Sequence, residues 1–143
     1  MTIQQHDGSI LSTTQGIVAH SCDAESGAHA PLLADLRLRY PGAARGFNEA
    51  LDQGTLALGQ VLYYQVPSPG DEQLIIASAI MLRGPMPDIG AAQQCLNAIA
   101  EKARATGLPV HFAAIPGIDT QMLVAFLGAA LGTDIECHLW RAA

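Results

Sequence analysis

Val110-His-Phe-Ala-Ala-Ile-Pro-Gly-Ile-Asp119 is the stretch that decides the fold class. An apolar run of strand formers, Val110 to Ile115, meets a Pro116-Gly117 turn, and Asp119 then stands where the amphipathic segment 120–131 begins. Strand, glycine turn and helix in that order make the repeating unit of an open α/β sheet. Ligands of such sheets lie at the carboxyl ends of strands, where glycine lets the backbone approach and the next helix presents unpaired N–H groups. The turn is thus the first place to look for an anion or nucleotide. The same residues have a structural reading: Asp is a preferred helix N-cap and glycine makes the turn.

Outward from this unit the alternation continues. Residues 2–6 read as a short strand ended by the Asp7-Gly8 turn, and Gly16 to Cys22 as a central, almost wholly apolar strand. Leu32, Leu33, Leu36 and Tyr40 recur at helical spacing up to Pro41-Gly42, and Phe47 and Leu51 mark a second short helix over 44–52. Gln60 to Val66 and Gln73 to Met81 flank the polar turn Pro67 to Asp71 and predict a hairpin. Ile89, Ala92, Leu96, Ile99 and Ala103 predict a helix over 88–106 with Gly107 as its C-cap. A last strand covers Ile135 to Trp140. Strands alternating with helices predict a three-layer α/β/α sandwich with a mixed sheet, formed by residues 1–143 as one domain.

With 143 residues, one core buries roughly two-thirds of the unfolded surface. The chain is 50% hydrophobic and 14% charged, which argues against disorder, and the low charge is compatible with a homo-oligomer in which a second subunit covers part of the surface. A net charge of −6 leaves no positive field for a phosphate backbone, so nucleic acid is excluded as a partner class. The apolar run Leu74 to Leu82 is about half of a membrane-spanning helix, and 1–9 lacks the basic and apolar regions of a signal peptide. Three widely spaced cysteines, Cys22, Cys95 and Cys137, form no disulfide framework. A soluble, cytoplasmic chain without membrane partner or cofactor is the expectation.

Two loops follow strand ends on one edge of the expected sheet, Ser21 to Pro31 and Ile115 to Thr120, and together they would clasp an extended ligand. Here the chain resembles the macro domains that bind ADP-ribose, nearest the small branch that hydrolyses ADP-ribose from acidic side chains. The residues that carry the resemblance are Ala19-His20-Ser21-Cys22-Asp23, Gly27-Ala-His-Ala-Pro31, Arg39-Tyr-Pro-Gly42 and Ile115-Pro-Gly-Ile-Asp119. The resemblance implies a ligand site at Gly8, Ser9, Ser21, Asp23, Gly27, His29, Ile115, Pro116, Gly117 and Ile118, with Asp119 in the place of a catalytic aspartate. Departures are plain. Gly8-Ser9 stands where the family has Gly-Asp, whose carboxylate holds the adenine amino group. His29 and Pro31 replace glycines that face the phosphates, and the proline removes an N–H. Ala79 falls where the branch has a nucleophilic lysine, so covalent amine chemistry is excluded there.

The resemblance therefore implies binding of ADP-ribose or a related nucleotide metabolite more than hydrolysis. Any hydrolysis would use Asp119 to position or deprotonate water, with Asp23 or His29 as helper. The alternative from another class is a macro-like interaction or oligomerisation module, catalytically dead, with an altered pocket. His20, Cys22 and His29 have donor atoms for a metal, but no recognised ligand spacing, and no metal is expected. A Cys22 nucleophile activated by His20 competes with ordinary core packing, and packing is the better reading of a buried cysteine.

Overall fold

The computed structural model describes residues 3–68, 70–115 and 117–142. Pro116, one of the expected site residues, lies outside them. In chain order the elements are β1 (Gln4–Asp7), a 3₁₀ turn (Ile10–Ser12), β2 (Gly16–Asp23), α1 (Leu33–Arg39), α2 (Pro41–Asp52), β3 (Val61–Gln65), β4 (Leu74–Arg83), β5 (Met86–Pro87), α3 (Ile89–Thr106), β6 (Val110–Ala113), α4 (Thr120–Leu131) and β7 (Cys137–Arg141).

The strands form one mixed sheet in the order β1-β7-β6-β2-β4-β3, with β5 paired to β4. All neighbours from β1 to β4 run parallel, while β3 and β5 are antiparallel to β4. The expected α/β/α sandwich is therefore the observed one. On β2 and β4, Ile17, Ala19, Ile75, Ala77, Ala79 and Met81 face α3 and α4, whereas Val18, Cys22, Leu74, Ile76 and Ile80 face α1 and α2. The period of two thus divides these continuous apolar strands between two cores, which is why they show no polar face in sequence.

Local chemistry sets the helix ends. Asp88 accepts from the Ala91 N–H at 2.9 Å, and Gly107 closes α3 in the left-handed region at φ 72°. Gly16 has φ 117°, and a Cβ there would come within 2.9 Å of the Pro109 carbonyl oxygen. Glycine is what lets β2 start so close beside β6.

The structure moves some boundaries. The helix expected over 44–52 begins at Pro41, whose fixed φ suits the first helical position and whose missing N–H needs no partner there. The strands at 110–115 and 135–140 are shorter or displaced, because pairing rather than apolarity sets their ends: Ile115 and Ile135 are buried in the core without belonging to the ladder. β5 and the 3₁₀ turn are too short to have a period. Among the described residues, no helix is long and apolar enough to cross a membrane.

Candidate functional site

The connections fix where a cleft must open. From β2 the chain leaves through α1 and α2 towards β3 on one face of the sheet, and from the adjacent β6 it leaves through α4 towards β7 on the other. Neighbouring parallel strands whose crossovers diverge leave a crevice outside their carboxyl ends, the topological switch point of an α/β sheet.

A cavity of about 580 Å³ lies there. Its walls come from Gly8, Ser9 and Ile10 after β1, Pro31, Leu32 and Asp35 around the start of α1, Ala113 and Ala114 at the end of β6, and Trp140 and Ala142 at the end of β7. Most of that lining is apolar, as is common in cavities that take small molecules. Of the residues expected in the site, Gly8 and Ser9 line the cavity. Ser9 has its Oγ committed to the Leu11 N–H at 3.2 Å, where it caps the 3₁₀ turn.

Trp140, the chain's one tryptophan, stands in register with Ala113 across β7 and β6. Its indole Nε1 donates to His111 Nδ1 at 3.1 Å, and its ring stacks on His6 with centroids 4.5 Å apart. His111 in turn stacks on His138 at 4.6 Å. Between His6 Nε2 and His138 Nδ1 the distance is 2.8 Å, and His138 Nε2 lies 2.7 Å from Glu136. These rings share the sheet face of α1 and α2. Burial, and then the neighbouring His138, lower the pKa of His111 to about 4, so its Nδ1 is free to accept at neutral pH.

The first loop is tied by Asp23. Its buried carboxylate accepts from the Glu25 N–H at 2.8 Å, the Gly84 N–H at 2.9 Å and the Ser26 hydroxyl at 3.3 Å, and pairs with His29 Nδ1 at 3.0 Å. Burial pushes this carboxyl up, but the four partners together hold it below its ordinary value of 3.8. Asp23 thereby fastens residues 24–29 to the end of β4. Ser21 is buried on β2 beside Ala79, and Gly27 packs over Leu33. None of Ser21, Asp23, Gly27 and His29 lines the cavity wall.

The second loop lies over β5. A Cβ on Gly117, at φ 85°, would sit 3.3 Å from the Pro87 ring, Ile115 is buried in the α3/α4 core, and Ile118 packs against that core. Asp119 is exposed and caps α4, accepting from the Gln121 N–H at 3.0 Å. Ala79 lies in the α3/α4 core, and the chain's one lysine, Lys102, sits over the Tyr63 ring at 5.0 Å.

His20 donates to or accepts from Ser78 Oγ at 2.8 Å, and Cys22 Sγ lies 3.7 Å from His20 Nδ1. Burial pushes the Cys22 thiol up to about 12 and pulls His20 down to about 4. Thiol and neutral imidazole are the stable forms, so this pair packs the core and does not supply a thiolate. Among the described residues, no three His, Cys, Asp or Glu side chains are grouped to hold a metal ion.

Trp140 and Asp35 line the cavity although neither was among the expected site residues. Trp140 lies within β7, one residue before its end, where in sequence it reads as part of an ordinary hydrophobic strand. Asp35 gave no signal either, since an acid in the first turn of a helix is common.

No family model matches the sequence, and no curated protein matches it. Solved structures do. A Bacteroides thetaiotaomicron protein of unknown function superposes with a TM-score of 0.85 at 17% identity, over 99% of this chain and 98% of that one. A macrodomain protein from Streptomyces coelicolor gives 0.80 at 19% identity, over 96% and 97%. Thermosipho africanus DarTG, solved in complex with ADP-ribose, gives 0.76 at 16% identity, over 99% of this chain and 42% of that one.

Proposed function

From the macro domain fold, which this chain has, we propose that it binds ADP-ribose or a related nucleotide metabolite in the cavity walled by Ser9, Leu32, Ala113 and Trp140. One observation carries the reading: at the switch point of the sheet an apolar cavity of about 580 Å³ meets an indole fixed by a hydrogen bond and a stacked imidazole. An indole face at a strand end is a platform for a heteroaromatic ring. That a protein sharing this fold over 42% of its chain was solved in complex with ADP-ribose gives further support.

The ring occupies the slot at Trp140, and the diphosphate runs towards the loops at 24–31 and 117–119. No lysine or arginine lines the cavity, so backbone N–H groups of those loops hold the phosphates. Pro31 supplies none, and this weakens the anion half of the site relative to the ring half. Ser21, Asp23, Gly27 and His29 act by shaping the first loop, and Ile115, Gly117 and Ile118 by shaping the second. Binding is favoured over hydrolysis because the one lysine is far from a role as nucleophile, over Tyr63. Hydrolytic activity would rest on Asp119 and a water.

The second reading, a macro-like module that assembles with itself or another protein, is favoured by the same Pro31 in the cavity wall. Calorimetric titration with ADP-ribose separates the two. The proposal expects a saturable heat with one ligand per chain; no heat at millimolar ligand removes it.

A further inference from the structure

The imidazoles of His6, His138 and His111 lie on one sheet face, on the adjacent strands β1, β7 and β6, and lead to the indole that walls the cavity. We infer that His6 and His138, with Glu136, form a proton trap that in acid takes up a proton ahead of His111, which stays neutral and keeps Trp140 anchored. This holds whatever ligand the cavity takes.

The hydrogens on the rings can be counted. Trp140 Nε1 can only donate, so His111 Nδ1 is bare and its proton is on Nε2. His138 Nε2 lies 2.7 Å from the Glu136 carboxylate, which only accepts, so that nitrogen carries a proton. In the neutral ring His138 Nδ1 is then bare, and it accepts from His6 Nε2 at 2.8 Å. One proton fits each contact. A further proton on His111 Nδ1 would set a donor against the indole N–H and break the anchor. On the His6–His138 pair it breaks nothing: His138 donates both to Glu136 and to His6 Nε2, once the His6 proton has moved to Nδ1. An imidazolium with a carboxylate on one nitrogen and an acceptor on the other is the favoured place for the charge.

That charge then guards His111. The His111 and His138 rings are parallel within 10° at 4.6 Å, so a second cation on His111 would face the first at short range. Burial lowers the pKa of His111 most and His138 next; Glu136 pulls it up, His6 lowers it again, and the result is about 4. On its other side β2 presents apolar Val18, and the 3₁₀ turn Ile10–Ser12 has no ionisable side chain. Of the other charges near this end of the sheet, Asp35 stands in the cavity wall beyond the indole, and Asp7 and Arg141 pair with each other at 3.2 Å.

The test is an NMR titration of the three imidazoles and the one indole N–H, from about pH 8 to about pH 4.5, in wild type and in His138→Gln. Thermal melting at neutral pH shows whether the variant is folded. A proton trap predicts that in wild type the His6–His138 pair takes up one proton as a unit while His111 and the indole N–H signal hold still. In His138→Gln, His111 should titrate about one pH unit or more higher, and the shift of the hydrogen-bonded indole N–H should be lost with it. A wild-type His111 that takes up its proton ahead of the pair overturns the inference, and this needs no variant. An unchanged His111 titration in folded His138→Gln also overturns it, since burial alone would then keep that ring neutral.

Discussion

The indole Nε1 of Trp140 donates to Nδ1 of His111 at 3.1 Å across the adjacent strands β7 and β6. That bond needs the imidazole neutral and its Nδ1 bare, with the proton on Nε2. It also fixes the plane of the ring that walls the cavity. Trp140→Ala removes a stacking surface worth on the order of 1–3 kcal/mol per base, and should weaken ADP-ribose about tenfold or more in calorimetry. His111→Phe keeps the packing but takes away the acceptor, and should cost less affinity than Trp140→Ala. Equal affinity in wild type and Trp140→Ala would remove the indole from the site.

Two buried imidazoles make the fold sensitive to acid. His20 and His111 are each lowered by burial from 6.5 to about 4, so the unfolded chain binds more protons than the folded one between those values. Stability is therefore full above about pH 6.5 and falls as the pH drops towards 4. Asp23 acts in the same direction at lower pH: its depressed carboxyl adds stability above 3.8 that is lost only below that value. Melting temperature followed from neutral to acid should fall through the histidine window, and His111→Gln should flatten part of the slope. A melting temperature that stays level across that window contradicts this account.

Asp23 is the knot of the first loop. Asp23→Ala leaves the Gly84 and Glu25 N–H groups without their acceptor, and should destabilise the chain by about 3 kcal/mol in urea denaturation. Asp23→Asn keeps an acceptor oxygen and should cost less. Residues 24–31 should become open to proteolysis in Asp23→Ala before the rest of the chain does.

Asp119 has two roles to tell apart. As the α4 N-cap, its replacement by Ala should cost about 1 kcal/mol of stability, Asn should retain most of it, and ADP-ribose affinity should stay unchanged. Release of ADP-ribose from a modified carboxylate, measured by chromatography and abolished in Asp119→Asn without loss of stability, would instead assign Asp119 to a water.

The order of the longer strands and helices was legible because each of them leaves a local trace, which β5 and the 3₁₀ turn are too short to do. Glycine at 107 and the acid at 119 marked helix ends, and the spacing of Leu96, Ile99 and Ala103 marked the longest helix. The ligand edge followed from the glycine turn after Val110 to Ile115. The cavity wall itself was harder to see. Trp140, Asp35 and Ile10 are more than a hundred positions apart in part, and they meet only because β1, β7 and β6 pair in parallel. The roles of Asp23 and His29 were hidden for a similar reason: the partner that ties their loop down, Gly84, comes from the far end of β4.

Trp140 is the only tryptophan in the chain and stands in the cavity wall, so all the tryptophan fluorescence comes from that wall. Titration with ADP-ribose should change the emission saturably, with one ligand per chain and the affinity found by calorimetry. Emission that does not respond while calorimetry shows binding would put the ligand elsewhere, and no response in either would contradict nucleotide binding altogether.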